Sequence, residues 1–82
     1  MFKLIIASPY KEFYNLDVKR LVTESLAGKI EILQNHSPLI TVLRPCNTEF
    51  EDINGKIYSF NISKALMKVT KEEVKILCEN MK

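Results

Sequence analysis

Apolar residues in this chain come in short runs, and the clearest of them alternate with polar residues at every second position. Tyr58, Phe60 and Ile62 fall opposite Ser59 and Asn61, and Ile30 and Ile32 opposite Lys29 and Glu31. Val74, Ile76 and Cys78 share a side, with Lys75 and Leu77 on the other. A period of two belongs to a strand with one covered face and one wet face. The chain is therefore expected to bury its core between sheets.

Turn signals divide the chain into such segments. Phe2–Ile6 reads as a first strand, stopped by Ser8-Pro9 because proline has no N–H to give a ladder. Phe13-Tyr14 reads as a short strand or turn before Asn15, and Val18–Thr23 as the next strand. Gly28 opens Ile30–Leu33, and Leu39–Leu43, apolar apart from Thr41, is expected to be covered at least partly on both faces before Pro45 ends it. Thr48–Ile53 and Tyr58–Ile62 flank Asn54-Gly55, a strong hairpin signal. Leu66–Val69 and Val74–Cys78 are separated by a charged turn over Thr70–Glu73. A helix over Ser63–Lys75 competes for this last part, with Ser63 as its cap, but Val69-Thr70 and the later alternation disfavour it. The expected fold is all-β: a two-layer antiparallel sandwich of about eight to ten short strands.

At 82 residues the chain makes one domain, residues 1–82, with no internal repeat or linker. A chain of this size hides only about 60 to 65% of its unfolded surface, and net stability near 5 kcal/mol is expected. Phe60 and Ile62 are assigned to the core, and Met67 is read as core filler. Tyr10 and Tyr14 are placed at a rim or over the sandwich edge.

Composition narrows the functional classes. The net charge is +2 with both signs interleaved, so the basic stripe of a nucleic-acid binder is missing, and Lys19-Arg20, Lys75 and Lys82 read as solvent-facing charges. The run Leu4–Ala7 is too short for a signal segment or a membrane span. Cys46 and Cys78 match no metal spacing and are expected to be reduced, structural thiols in a cytosolic compartment. His36 is the lone histidine, no nucleophile elbow accompanies it, and Gly28 and Gly55 form no phosphate-cradling loop. No catalytic residue, cofactor or metal ligand is assigned, and the chain is read as noncatalytic.

The polar break within Gly28–Leu43 is then the candidate contact edge. His36 either orders its own turn or contacts another protein there, and the residues leave both readings open. Asn35 tolerates a left-handed backbone, and Pro38 holds Ser37 extended.

From Met1 to about Cys78 the chain resembles the amino-terminal β-sandwich of the epsilon subunit of F-type ATP synthase, the counterpart of the mitochondrial delta subunit. The resemblance lies in Phe2-Lys3-Leu4, Ser8-Pro9, Phe13-Tyr14 and Val18. Its most specific part is Gly28, Ile32-Leu33 and His36-Ser37-Pro38-Leu39-Ile40-Thr41, with Leu43 and Pro45 following. The departures fall at family glycines or at a Pro-Gly pair: Glu31, Gln34-Asn35, Cys46 and Lys64-Ala65 stand there instead. The expected adjustment is a left-handed Asn35 and a positive-φ turn shifted to about Asn47, with strain at Cys46, Lys64 or Ala65 as the contrary outcome.

What the resemblance implies is a noncatalytic central-stalk subunit of a proton- or sodium-translocating ATP synthase, at the cytoplasmic face of a bacterial cell membrane without inserting into it. It implies a sandwich held by the gamma subunit and resting on the c-ring, with only indirect connection to the alpha/beta head. Carried across, Gly28, Lys29, Ile30 and Glu31 match the c-ring side, the first three read as a turn; His36, Thr41, Ala7 and Ser8 match the gamma side. Lys29 stands where the family is often acidic or otherwise polar, and either favours an acidic partner or is a solvated turn residue. The sequence ends where bacterial relatives continue into two inhibitory helices, so the fold is expected without that carboxy-terminal hairpin. A generic β-sandwich interaction module of another assembly is the alternative.

Overall fold

A computed structural model describes residues 1–81; Lys82, read above as a solvent-facing charge, lies outside the described residues. Eight strands account for most of the chain: β1 (Phe2–Ala7), β2 (Glu12–Ser25), β3 (Gly28–Leu33), β4 (Leu39–Leu43), β5 (Cys46–Asp52), β6 (Ile57–Ile62), β7 (Ala65–Val69) and β8 (Glu73–Cys78). No helix occurs among the described residues, so the competing helix over Ser63–Lys75 gives way to β7 and β8.

β2 is a correction to the two pieces expected around Asn15. It runs unbroken for 14 residues, a length of roughly 46 Å if straight, in a body whose longest principal extent is 26 Å. The strand must therefore bend, and the register slips between Val18 and Arg20, where Val18 pairs with Asp52 and Arg20 with Glu51. One extra residue, Lys19, reverses the side to which later side chains point. Tyr14, Leu16 and Val18 face the core before the bulge, and Leu21, Thr23 and Ser25 after it. Before the bulge β2 pairs with β1, and beyond it with β3 and β5.

β2 thus joins the two layers. One contains the first part of β2 with β1, β8, β7 and β4, and the other β3, the second part of β2, β5 and β6. The single pair Ser25 and Leu43 ties β2 to β4. The sheets are not purely antiparallel as expected, because β1 and β8 run parallel. Parallel neighbours need a long connection, and here nearly the whole chain provides it.

The interior where the layers meet is chiefly apolar. Leu4, Ile6, Val18, Leu21, Leu43, Phe50, Met67 and Ile76 have no solvent exposure, which places Met67 in the core as expected. Phe60 and Ile62 are also buried. Tyr14 is half-buried and covers the core: its ring lies 5.0 Å edge-on from Phe50 and 5.7 Å from the stacked Phe60. Tyr10 is fully outside, at 94% exposure. Polar atoms that enter the core pair with each other, and the Thr23 and Thr48 hydroxyls lie 2.8 Å apart with Cys46 Sγ 3.5 Å from each. On the outer face of β4 the cover is partial: Val42 is half-buried, as expected, but Ile40 is 68% exposed, because the register turns the even positions outward.

The hairpin expected at Asn54-Gly55 joins β5 to β6. Four residues, Ile53–Lys56, close it around Asp52, whose Oδ1 accepts from the N–H groups of Asn54 and Lys56 at 2.9 Å each. Tyr58 Oη donates to Oδ2 at 3.4 Å, and Gly55 alone in this loop takes a positive φ, +84°. These bonds favour the ionised form, so the Asp52 carboxyl is held below its ordinary pKa, chiefly by the Lys56 N–H.

Replacing Phe60 with Ala is expected to cost about 3 to 5 kcal/mol, read as a lower urea-unfolding free energy; an unchanged value would place the ring outside the core. The Asp52 contribution is complete above the ordinary carboxylate pKa and fades as pH falls through about 4 toward the depressed folded value. Asp52→Asn is therefore less stable than the parent at pH 7, and the gap narrows between about pH 5 and 3. A gap that stays constant over that range would remove the carboxylate from the turn's stability.

Candidate functional site

Registers across β4, β7, β8 and β1 divide the molecule into two ends. Leu39, Val69, Val74 and Leu4 form a row toward one of them, and Val42, Leu66, Leu77 and Ala7 a row toward the other. At the first end the Met1 ammonium donates to the Gln34 side chain, bringing the chain start to the loop between β3 and β4. His36 sits in that loop. Its N–H donates to the Leu33 carbonyl at 3.2 Å and its Nδ1 lies 2.8 Å from the Ser37 carbonyl, so it orders its own turn while its ring remains partly accessible. Asn35, the one non-glycine with positive φ among the described residues, takes +65°. The expected left-handed asparagine is therefore present. Cys46 and Asn47 continue β5 without a positive-φ turn, and Lys64 and Ala65 carry no such strain.

The second end carries Ser8 and the link between β2 and β3. The turn is Leu26-Ala27, not Gly28-Lys29-Ile30, whose residues already belong to β3. Ser25 accounts for the shift: its Oγ accepts from Ala27 N–H at 3.1 Å and donates to the Gly28 carbonyl at 3.2 Å. Gly28 leaves the turn with φ +129°, a backbone that only glycine adopts freely. The turn is fastened to β4 by Leu26 N–H on the Val42 carbonyl and by Arg44, whose guanidinium donates to the Leu26 carbonyl at 3.2 Å. Ser8 Oγ, across this end, accepts from the N–H groups of Tyr10 and Lys11, both at 3.2 Å.

The site residues read from the sequence are thus partly gathered and partly spread. Gly28, Lys29, Ile30 and Glu31 form one segment, with Lys29 and Glu31 exposed. Ala7 and Ser8 lie near that same end, His36 lies at the opposite one, and Thr41 is midway along β4 in the inward-facing row with Met67, Ile76 and Ile6. All four are only half-exposed.

Two features of the faces went unread. On the outer side of the β3, β2, β5 layer, Arg20 lies 3.1 Å from Glu31, 3.5 Å from Glu51 and 3.8 Å from Glu49. Arg20 is accordingly no free solvent charge; the Glu31 hydrogen bond, foremost, raises its pKa further. Three carboxylates around one guanidinium leave that face locally acidic. The outer side of the other layer bears Ile40, Leu66 and Leu77 in the open, together with Lys68 and Lys75. Alternation hinted at Lys75 and Leu77 together, but only the register reveals the neighbours. Burial raises the Cys78 thiol pKa, the mark of an inert packing cysteine. No described group of His, Cys, Asp and Glu is placed to hold a metal, and no described helix is long and apolar enough to cross a membrane.

The chain is an all-β body of two layers around one core, with ordered turns at both ends and two chemically different outer faces. The chain belongs to the family described as the ATP synthase, Delta/Epsilon chain, beta-sandwich domain, whose sequence model matches residues 1–82. It is 37% identical over 79 residues to the ATP synthase epsilon chain of Clostridium kluyveri and 40% identical over 78 residues to that of Clostridium novyi. These alignments take in 96% and 95% of this chain and 60% of each relative, so the chain spans about three fifths of their length. The fold is shared with a chain of the Euglena gracilis mitochondrial ATP synthase OSCP/F1/c-ring structure, at TM-score 0.90 and 19% identity over 99% of this chain and 52% of that one. A chain of the Tetrahymena thermophila mitochondrial ATP synthase central stalk and c-ring structure gives TM-score 0.83 and 15% identity over 99% and 65%.

Asn35 supplies a test of the His36 loop. Asn35→Val should lower stability by about 1 to 2 kcal/mol, because a β-branched residue resists the left-handed backbone, whereas Asn35→Gly should be nearly neutral in urea unfolding. Equal losses from both would make the asparagine side chain, not its φ, the relevant feature.

Proposed function

We propose that this domain is a noncatalytic part of the central stalk of an F-type ATP synthase, where it binds the gamma subunit and rests against the c-ring. Its location is the cytoplasmic face of a bacterial cell membrane, peripheral within the complex. The observation that carries this reading is the family match over the whole chain, joined to a structure whose turns are fixed at both ends of one shared core.

In such a stalk the domain's work is mechanical. Torque produced as protons or sodium ions cross the ring reaches the alpha/beta head only if the intervening parts neither slip nor deform. A packed two-layer core supplies stiffness, and the sheets position the contact loops. The Gly28–Glu31 segment is assigned to the c-ring. Ala7, Ser8, Thr41 and His36 are assigned to gamma; distributed along the body from one end to the other, they fit a partner that runs alongside it.

Affinity purification of the chain from detergent-solubilised membranes of its own organism is expected to recover gamma and the c-ring together. A stable complex containing neither stalk component would favour an interaction module of some other assembly.

A further inference from the structure

The turn between β5 and β6 holds chemistry that the proposed function leaves unused. Among the asparagines only Asn54 is followed by glycine; the others precede Leu16, His36, Thr48, Ile62 and Met81, whose side chains crowd their own backbone nitrogens. Without a Cβ, the Gly55 nitrogen can approach the Asn54 side chain closely, and both residues are exposed to water. A Cβ built on Gly55 would meet no atom nearer than Glu51 Oε2 at 3.9 Å, so nothing crowds the pair from outside. An asparagine-glycine pair in this setting is chemically labile.

The same turn restrains the reacting groups through Asp52. Its carbonyl accepts from the Gly55 N–H at 3.1 Å, and its Oδ1 accepts from the N–H groups of Asn54 and Lys56 at 2.9 Å each. The Asp52 N–H in turn donates to the Lys56 carbonyl at 2.9 Å. The Gly55 nitrogen attacks only after it loses its proton, and that proton is the one shared with the Asp52 carbonyl. Negative charge on Asp52 and Glu51 beside it opposes the loss as well.

We propose that Asn54-Gly55 is a deamidation site guarded in the folded domain by Asp52, so that modification proceeds through transient opening of this turn. On opening, hydroxide removes the Gly55 N–H proton and the nitrogen forms a bond to Asn54 Cγ. The Asn54 amide nitrogen leaves as ammonia, with a proton taken from water, and a five-membered cyclic imide remains. Water then breaks one of the two bonds from the Gly55 nitrogen to a carbonyl carbon: cleavage at Cγ leaves aspartate, and cleavage at the main-chain carbon leaves isoaspartate. Either product adds a carboxylate beside Glu51 and Asp52, and isoaspartate also inserts a carbon into the backbone. The turn lies at the His36 end, since Arg20 of β2 pairs with both Leu33 and Glu51, so that end gains negative charge as the protein ages.

The test incubates the intact chain at mildly alkaline pH, folded and in denaturing urea, and follows Asn54 by peptide mass spectrometry with chromatographic separation of the aspartate and isoaspartate forms. Asn61, which precedes isoleucine, serves as internal standard. Asn54 should react about tenfold or more slowly in the folded parent than in urea, whereas Asp52→Ala should raise the folded rate about fivefold and leave the urea rate unchanged. Asp52→Asn, which keeps an acceptor oxygen, should fall between them. Deuterium exchange at the Gly55 N–H of the folded parent should be slowed relative to an unstructured peptide; where Asp52→Ala is unfolded, this measurement decides. Absence of reaction at Asn54 in urea would remove the site. Equal rates in the folded and unfolded parent, a folded Asp52→Ala that reacts no faster than the parent, or a Gly55 N–H that exchanges as freely as in a short peptide would each remove the guard and overturn the proposal.

Discussion

The bulge at Lys19 is the constraint on which the rest of the architecture depends. A regular β2 would keep Val18 and the even positions after it on one side, turning Leu21, Thr23 and Ser25 away from the core. With one residue inserted, the same strand covers β1 with its first part and β3 and β5 with its second, always with its apolar side inward. The two layers then share a strand, and their relative position is set by covalent geometry as well as by side-chain packing. The aromatic group of Tyr14, Phe50, Tyr58 and Phe60 spans this joint, since Tyr14 precedes the bulge and the others come from β5 and β6.

Much of this was legible in the sequence wherever the signal is local. Alternation identified the inward residues of β6 and β8, Ser8-Pro9 and Pro45 marked strand ends, and Asn35 was recognised as a left-handed position. What escaped depends on partners distant in sequence. Asn15 has low strand propensity, yet pairing with Ile5 holds it within β2. The parallel pairing of β1 with β8 relates the two ends of the chain and leaves no local trace. The Asn54-Gly55 hairpin was legible, but not the part of Asp52, whose carboxylate satisfies two backbone N–H groups of that turn at once. The family glycine positions show the same limit: substitution there altered local geometry, with Asn35 accepting the left-handed role and Cys46 simply extending a strand.

The candidate surfaces were less legible than the fold, because a face is a property of register. Lys19-Arg20 looks like a pair of equivalent surface charges in the sequence, but the bulge sends Arg20 into a ring of glutamates from β3 and β5. Lys68 and Lys75 are seven positions apart and become neighbours only when β7 and β8 pair. The result is one outer face with acidic excess and another that combines leucine with lysine.

Whether such a small body can link two partners depends on what joins its ends, and β4 does so directly. Its first residue, Leu39, follows the loop that carries His36, and the Val42–Arg44 stretch at its other end makes two hydrogen bonds with Leu26 of the turn and one with Glu24 just before it. Between them Thr41 and Leu43 lie against the same core as Met67 and Ile76. β1, flanked by β2 on one side and β8 on the other, brings the chain start into that same sheet. A displacement imposed on either end therefore meets a close-packed interior of low compressibility with no hinge in the path. Stiffness of this kind requires no catalytic group, only that the strands reaching one contact surface also carry the other.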